Sequence, residues 1–131
     1  MDEKTKADIR LYMDRAKHDL KAVEINIQNH FFTVAISRSY YAMFYAVSAL
    51  LLSVGVERAK HAGIVSAFGE YFVKPGFIEA KFSRMLVRAF ESRNDTDYDV
   101  HFVTEAELAN KRFEDAQAFV EKVAAYLEKS E

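Results

Sequence analysis

The amino-acid sequence predicts an all-α protein, namely an up-and-down four-helix bundle with an additional short helix. Half of the 131 residues are apolar and 14% are aromatic, which is enough material for the core of one domain. One proline and four glycines leave little provision for turns, and a few long helices need fewer turns than many short strands. We therefore expect residues 1–131 to form a single helical domain.

The first predicted helix carries one apolar stripe at helical spacing. Its apolar positions alternate between steps of four and three residues, with charged residues on the other face: Ile9, Met13, Ala16, Leu20, Val23 and Ile27. Asn29, in the segment 28–31, is suited to a cap or a turn and is expected to end this helix.

The second predicted helix, residues 31–54, is apolar on nearly all sides, which predicts burial by several neighbours or by a partner chain. Its aromatic residues lie on two faces: Tyr41 and Tyr45 on one, Tyr40 and Phe44 on the other. Such neighbouring aromatics more often form a core than a cofactor site. Arg38 is the only charge on this helix, so it needs a partner or an opening to water. Gly55 is expected to end the helix.

A polar link is expected next, at 56–63. A short helix at 64–73 and a longer helix at 77–92 follow it. Pro75 and Gly76 should stop the short helix. The last helix has apolar positions spaced by three and four from Ala106 to Leu127, and Thr104 is suited to be its N-cap.

The composition excludes several classes of protein. Eighteen basic and twenty acidic residues give a net charge of −2, so no basic field for nonspecific nucleic-acid binding covers the whole chain. No cysteine is present, which excludes disulfides and thiolate metal sites and fits a reducing interior. The apolar run 46–56 is too short to span a bilayer, and residues 1–10 lack the apolar region of a secretory signal. We expect a cytoplasmic protein with no membrane contact and no cofactor.

The segment "ESRNDTDYDVHF" (91–102) combines an arginine, alternating aspartates, a tyrosine and a histidine. Its aspartates have the spacing of the first three ligands of a calcium loop: Asp95, Asp97 and Asp99. Such a loop requires glycine and glutamate further on, where this chain has Val100 and Ala106. We therefore expect no metal here and weigh a solvated acidic turn against a catalytic site.

The catalytic interpretation rests on Arg93 and His101. Arginine can hold a phosphate, and histidine can take a proton from a ribose 2′-hydroxyl, which together give a metal-independent RNase. The neighbouring carboxylates repel a phosphate backbone and oppose this interpretation. A second candidate is Lys60 with His61, which precede the short helix at the point where its N–H groups can bind an anion. A plain surface loop is the simpler alternative for this pair.

Three stretches together resemble one family: "SRSYYAMFYAVSALL" (37–51), "KHAGIVSAFGEYFVKPGF" (60–77) and "SRNDTDYD" (92–99). In this order and spacing the chain is similar to small prokaryotic HEPN-domain proteins (higher eukaryotes and prokaryotes nucleotide-binding). The resemblance covers almost the whole chain. It implies a bundle of four long helices and a short fifth, usually a homodimer, and often a minimal nucleotidyltransferase as partner in a toxin–antitoxin pair.

The resemblance also implies a site. In active members, an arginine followed a few residues later by a histidine forms a metal-independent RNase site in the dimer cleft. Arg93 matches that arginine, but Tyr98 stands where the histidine is expected and His101 comes later. Tyrosine has a pKa near 10 and is a poor base at neutral pH. By loose analogy with members whose tyrosine is adenylylated by the partner, Tyr98 is also a candidate for modification.

Three functions stay open on the sequence. The first is a homodimeric partner of a nucleotidyltransferase, with a cleft formed by Tyr41, Tyr45, Asp97 and Tyr98 and a nucleotide or RNA held by Arg93, Lys60, His61 and Arg38. The second is an RNase that uses Arg93 with His101 or Tyr98. The third is a helical interaction domain with no site.

Overall fold

The computed structural model describes residues 1–58, 60–101 and 105–130. These ranges contain the following helices: α1 (Glu3–Gln28), α2 (Phe32–Ser53), α3 (His61–Phe68), α4 (Ala80–Tyr98) and α5 (Ala106–Lys129). A single π-helical turn, Gly69–Val73, continues α3. The four long helices form the predicted up-and-down bundle, and α3 is the predicted additional short helix.

Helix α2 lies at the centre of the bundle. It packs against α1, α3, α4 and α5, and eleven of its 22 residues are buried. Helix α2 is apolar on all sides because several neighbouring helices bury it, as predicted. The helix is long and apolar enough to meet a length-and-hydropathy criterion for a membrane span, but 61% of its apolar window is buried inside the bundle. Burial of this kind is typical of the core helix of a soluble protein.

The two aromatic faces of α2 differ in their exposure. Tyr40 is fully buried, whereas Tyr41 and Tyr45 are only partly buried and border the solvent. Phe68, on the short helix α3, and Phe119, on α5, pack with ring centroids 5.2 Å apart in the main core. The partly buried Tyr41 and Tyr45 therefore lie at the edge of this core.

The predicted helix ends are confirmed where capping residues were identified. Asn29 is the C-cap of α1, and its backbone N–H donates to the Ile25 carbonyl. Gly55 follows the C-cap of α2 with a φ of 73°, and Gly76 has a φ of 89° directly after Pro75. Positive φ is a conformation that glycine adopts without a steric penalty, so these two positions suit glycine.

Helices α3 and α4 differ from their predicted bounds. Helix α3 begins at His61 instead of residue 64, because the His61 ring packs against aromatic rings of α2. Helix α4 covers Ala80–Tyr98 instead of 77–92, so residues 91–98 of the acidic segment are helical. Tertiary contacts of Arg93 outweigh the weak helix propensity of the Asn and Asp residues there. Thr104, the predicted N-cap of α5, lies outside the described residues.

Candidate functional site

Arg93 is the centre of the polar site at the junction of α2, α3 and α4. Its side chain is 11% exposed, and each nitrogen of its guanidinium has a partner. Nη2 donates to the Tyr41 hydroxyl at 2.9 Å, and Nη1 donates to Asn94 Oδ1 at 3.1 Å. Nε lies 2.9 Å from Asp97 Oδ2, in an ion pair whose N–H is not aimed at the oxygen. Arg93 and Asp97 therefore pair within one chain.

These partners explain how α4 carries a charge into the protein. Burial opposes the charged form of Arg93, but the neighbouring Tyr41, Tyr98 and Asp97 outweigh this effect and raise its pKa. A guanidinium has five N–H groups. In Arg93, three of them are used in the contacts with Tyr41, Asn94 and Asp97. Nη1 and Nη2 each keep a second N–H without a partner among the described residues. Arg93 is thus a fixed cation with hydrogen-bonding capacity left for an anion.

His61 is the histidine that the fold places beside Arg93. It is the first residue of α3, and its Nδ1 lies 2.8 Å from the Tyr40 hydroxyl. Its ring centroid is 4.7 Å from that of Phe44 and 5.6 Å from that of Tyr41. Burial and the positive charge of Arg93 both lower the pKa of His61. The imidazole is therefore neutral at physiological pH.

Arg38 has both of the features that were predicted for a charge on α2. It has a partner, since its Nη1 lies 3.4 Å from Asp19 Oδ1 on α1, and its side chain is 33% exposed to water. Its guanidinium carbon also lies 4.3 Å from the centre of the Tyr41 ring. Tyr41 is therefore held by two arginines, because Arg93 binds its hydroxyl while Arg38 lies over its face.

The arrangement of arginine over tyrosine continues along α1 and α2. The Tyr45 ring lies 6.5 Å from the Tyr41 ring and stacks at 6.2 Å on Tyr12 of α1. Arg15 lies 5.2 Å from the centre of the Tyr45 ring. We call the set Tyr12, Arg15, Arg38, Tyr41 and Tyr45 the arginine–tyrosine stripe. Its partly exposed rings with interleaved cations match the surfaces that bind single-stranded nucleic acid.

Tyr98 and His101 occupy different surroundings at the end of α4. Tyr98 is 74% exposed, and the centre of its ring lies 5.5 Å from the guanidinium carbon of Arg93. His101 follows the helix, and its backbone N–H donates to Asp99 Oδ1 at 2.9 Å. The His101 ring makes no hydrogen bond or ring contact with another described residue. Of the two residues considered as proton-transfer groups, the structure brings Tyr98 to Arg93 and leaves His101 apart.

Lys60 adds a further positive charge next to His61. It is the exposed N-cap residue of α3, and its side chain pairs with no acidic group in the part of the chain that the structure describes. The cap has no side-chain hydrogen bond to the first turn of α3. Lys60 is therefore available to an anion that approaches His61.

The aspartates of the acidic segment are not gathered around a common centre. Asp97 pairs with Arg93, while Asp99 accepts the His101 N–H. Across residues 1–58, 60–101 and 105–130, no group of three or more His, Asp or Glu side chains is arranged to hold a metal ion.

Two functional neighbours, Tyr40 and Asp19, were not identified as such from the sequence. Tyr40 was placed with Phe44 on one aromatic face of the second helix, but its contact with His61 depends on the path of the link. Asp19 is buried, and burial raises its pKa against the opposing charges of Arg38 and Arg15. The sequence clue to Asp19 was Arg38, because a charge on the apolar second helix needed a partner.

Comparisons with known proteins agree with this architecture. The family model of the HEPN domain matches residues 9–129. The chain is 34% identical to a protein of Methanocaldococcus jannaschii named "Putative toxin MJ0605", over 88% of this chain and 86% of that protein. It is also 34% identical to a UPF0332 protein of Thermotoga maritima, over 98% of this chain and 96% of that protein. A second M. jannaschii protein with a toxin name is 29% identical over 97% of this chain and 86% of its own length.

Proposed function

This chain belongs to the HEPN domain family, and on that premise we propose that it is a toxin-like HEPN protein that binds a nucleotide or RNA at Arg93. In this proposal it works in the cytoplasm as a homodimer, paired with a minimal nucleotidyltransferase as in a toxin–antitoxin system. The observation that carries the proposal is the fixed Arg93 guanidinium between the neutral His61 and the arginine–tyrosine stripe.

The chemistry of the site fits a phosphorylated ligand with bases. Arg93 and Lys60 supply positive charge for a phosphate, and guanidinium geometry suits phosphate oxygens. Tyr41 and Tyr45 are partly exposed rings on which a base can stack. The net charge of −2 means that this local cluster, and not the whole surface, must attract the ligand.

The α1–α2 surface supports a homodimer whose cleft includes the ligand site, because its groove shares Tyr12, Arg15 and Tyr45 with the arginine–tyrosine stripe. A groove of about 640 Å³ runs there and is lined in part by Leu11, Tyr12, Tyr45 and Leu52. Leu11 is 66% exposed, and contact with a second copy would remove this apolar side chain from water. The groove also contains both acidic and basic residues, including Asp14 and Arg15, so a second copy can match it in charge as well as in apolar character.

Light scattering tests the dimer directly. The expected mass is twice 15.0 kDa at micromolar concentration, and Leu11→Glu should shift it towards the monomer. Val87→Glu, on α4 and outside this groove, introduces the same charge on another exposed apolar residue and serves as the control. A wild-type protein that stays monomeric contradicts the dimer.

Fluorescence anisotropy with a single-stranded RNA oligonucleotide in EDTA tests the ligand. We expect wild type to bind, Arg93→Gln to bind at least about tenfold more weakly, and Arg84→Gln to resemble wild type. Arg84 is the matched control because it is exposed on the same helix and its loss changes the net charge equally. Equal binding by both variants would show that Arg93 does not contribute to RNA binding.

A metal-independent RNase is the second candidate function, and the contact of Tyr98 with Arg93 favours it. The RNA used for the anisotropy measurement also reports cleavage when the products are separated on a gel. Cleavage in EDTA by wild type but not by Arg93→Gln supports an enzyme, and Tyr98→Phe and His101→Asn identify its proton-transfer group. Absence of cleavage with retained binding supports the binding protein.

A further inference from the structure

The contact between Tyr40 and His61 determines which nitrogen of His61 carries a proton. Tyr40 is fully buried, and its hydroxyl lies 2.8 Å from His61 Nδ1. Among the described residues, Tyr40 makes no other side-chain hydrogen bond. A buried hydroxyl that does not donate its hydrogen leaves an unsatisfied donor inside the protein, which is unfavourable.

The hydroxyl therefore donates and Nδ1 accepts. Burial raises the pKa of Tyr40, so the hydroxyl keeps its hydrogen throughout the physiological range. A neutral imidazole that accepts at Nδ1 carries its single proton at Nε2. The His61 ring thus has a lone pair facing Tyr40 and an N–H at its other nitrogen.

The Nε2–H group is not fully enclosed by the protein. Nε2 has no hydrogen-bond partner among the described residues, and it is not one of the enclosed side-chain atoms that lack a partner. Arg93 lies close by, since its guanidinium carbon is 5.9 Å from the centre of the same Tyr40 ring that His61 contacts. The charged donor groups of Arg93 and the neutral Nε2–H donor of His61 therefore both lie close to the Tyr40 ring of α2.

We infer that His61 Nε2–H and the guanidinium of Arg93 together bind one phosphate group of a nucleotide or RNA, with Tyr40 as the positioning residue for His61. His61 is then a hydrogen-bond donor and not the base that removes a proton from a ribose 2′-hydroxyl. This inference rests on the proposed nucleotide-binding function and specifies the ligand group and the role of each residue.

The tautomer can be measured without any ligand. Nitrogen-15 imidazole spectra of the full-length protein distinguish a protonated Nε2 from a protonated Nδ1, and His61→Gln identifies the His61 signals among the four histidines. We expect protonated Nε2 in wild type. In Tyr40→Phe, where Nδ1 loses its donor, we expect a mixture of both tautomers. A protonated Nδ1 in wild type overturns the inference.

Binding of 5′-adenosine monophosphate, with inorganic phosphate in a second series, tests the phosphate contact. His61→Leu should bind about fivefold more weakly, and His61→Gln, which keeps an N–H donor but cannot act as a base, should bind more tightly than His61→Leu. Thermal unfolding verifies that each variant is folded.

The outcomes separate this inference from the function on which it rests. Wild-type affinity in His61→Leu, with weak binding in Arg93→Gln, overturns the two-donor contact and leaves the proposed function standing. No binding of either ligand or of RNA by wild type overturns both. RNA cleavage that is lost in His61→Gln shows that His61 transfers a proton, and this also overturns the inference.

Discussion

Asp97 lies one helical turn after Arg93 on α4, and its carboxylate oxygen is 2.9 Å from the Arg93 Nε. The carboxylate therefore occupies part of the position that a phosphate would take. Its side chain is 29% exposed, so it can turn away into water when a ligand arrives. Asp97 pairs with this cation in the structure, and under the proposed function it would compete with the ligand for Arg93.

Replacing Asp97 should therefore strengthen anion binding. In Asp97→Asn the carboxylate no longer competes, and we expect nucleotide affinity to rise between about twofold and fivefold at low salt, the size of a partly exposed ion pair. Asp95→Asn removes the same charge from an exposed position on the same helix and is the control. Calorimetric titration decides the matter; an unchanged or lower affinity in Asp97→Asn would show that Asp97 orients Arg93 without blocking it.

His61 should titrate below its ordinary pKa of 6.5 because burial and Arg93 both disfavour the imidazolium. Among the described residues, the charged or titratable groups that face its ring are Arg93 from α4 and Tyr40 and Tyr41 from α2. The unfolded chain binds a proton on this histidine more readily than the folded chain does. The free energy of unfolding should therefore fall as pH drops below 6.5. Arg93→Gln removes the repelling charge and should raise the midpoint in an NMR titration. A wild-type midpoint above 6.5 would contradict the described surroundings of His61.

Asp19 should make the protein less stable as pH rises. Burial raises its pKa above the ordinary value of 3.8, so the folded state holds the proton more tightly than the unfolded state does. The free energy of unfolding therefore falls as pH rises from about 3.8 through the raised pKa. In urea titrations across this range, the free energy of unfolding of wild type should fall relative to that of Asp19→Asn as pH rises.

The control for this prediction is Glu3→Gln, an exposed carboxylate on the same helix that does not line the α1–α2 groove. At neutral pH we expect Asp19→Asn to differ from wild type by no more than about 1 kcal/mol, because relief of desolvation offsets loss of the Arg38 pair. A wild-type advantage that grows with pH would mean that the ion pair with Arg38 outweighs burial.

Tyr45 should distinguish RNA from a mononucleotide. It lies further along the arginine–tyrosine stripe than Tyr41, which binds Arg93 directly. Loss of one stacked base costs about 1–3 kcal/mol. Tyr45→Ala should therefore weaken binding of an oligonucleotide by about tenfold. Binding of adenosine monophosphate should stay near the wild-type value. Equal losses for both ligands would indicate that Tyr45 supports the fold or the dimer and contacts no base.

The helices of this protein could be predicted because their local signals agree with the packing. The apolar stripe of α1 and the apolar surface of α2 correspond to buried residues such as Met13, Val23 and Leu50. Asn29 and Gly55 mark helix ends by their conformational preferences, and the structure uses them in this way. Spacing and capping are properties of neighbouring residues, so they are visible in one sequence.

The grouping of the site could be predicted only in part. Arg93 and Asp97 lie one helical turn apart, a spacing at which side chains on one helix can pair, but the predicted helix ended before Arg93. The approach of His61 to Arg93 joins residues from two helices, and it depends on how the link before α3 folds onto Tyr40. The sequence suggested a proton-transfer group near Arg93 in the chain, whereas tertiary structure supplies a histidine from elsewhere.

The structure of the protein with bound 5′-adenosine monophosphate tests the central claim most directly. We expect the phosphate to lie within hydrogen-bonding distance of Arg93 Nη1 or Nη2 and of His61 Nε2, with the Asp97 carboxylate displaced from Nε. A phosphate bound instead at the exposed cations of α4, such as Arg84 and Arg88, would contradict the claim. So would a complex in which Arg93 keeps Asp97 and the ligand touches neither residue.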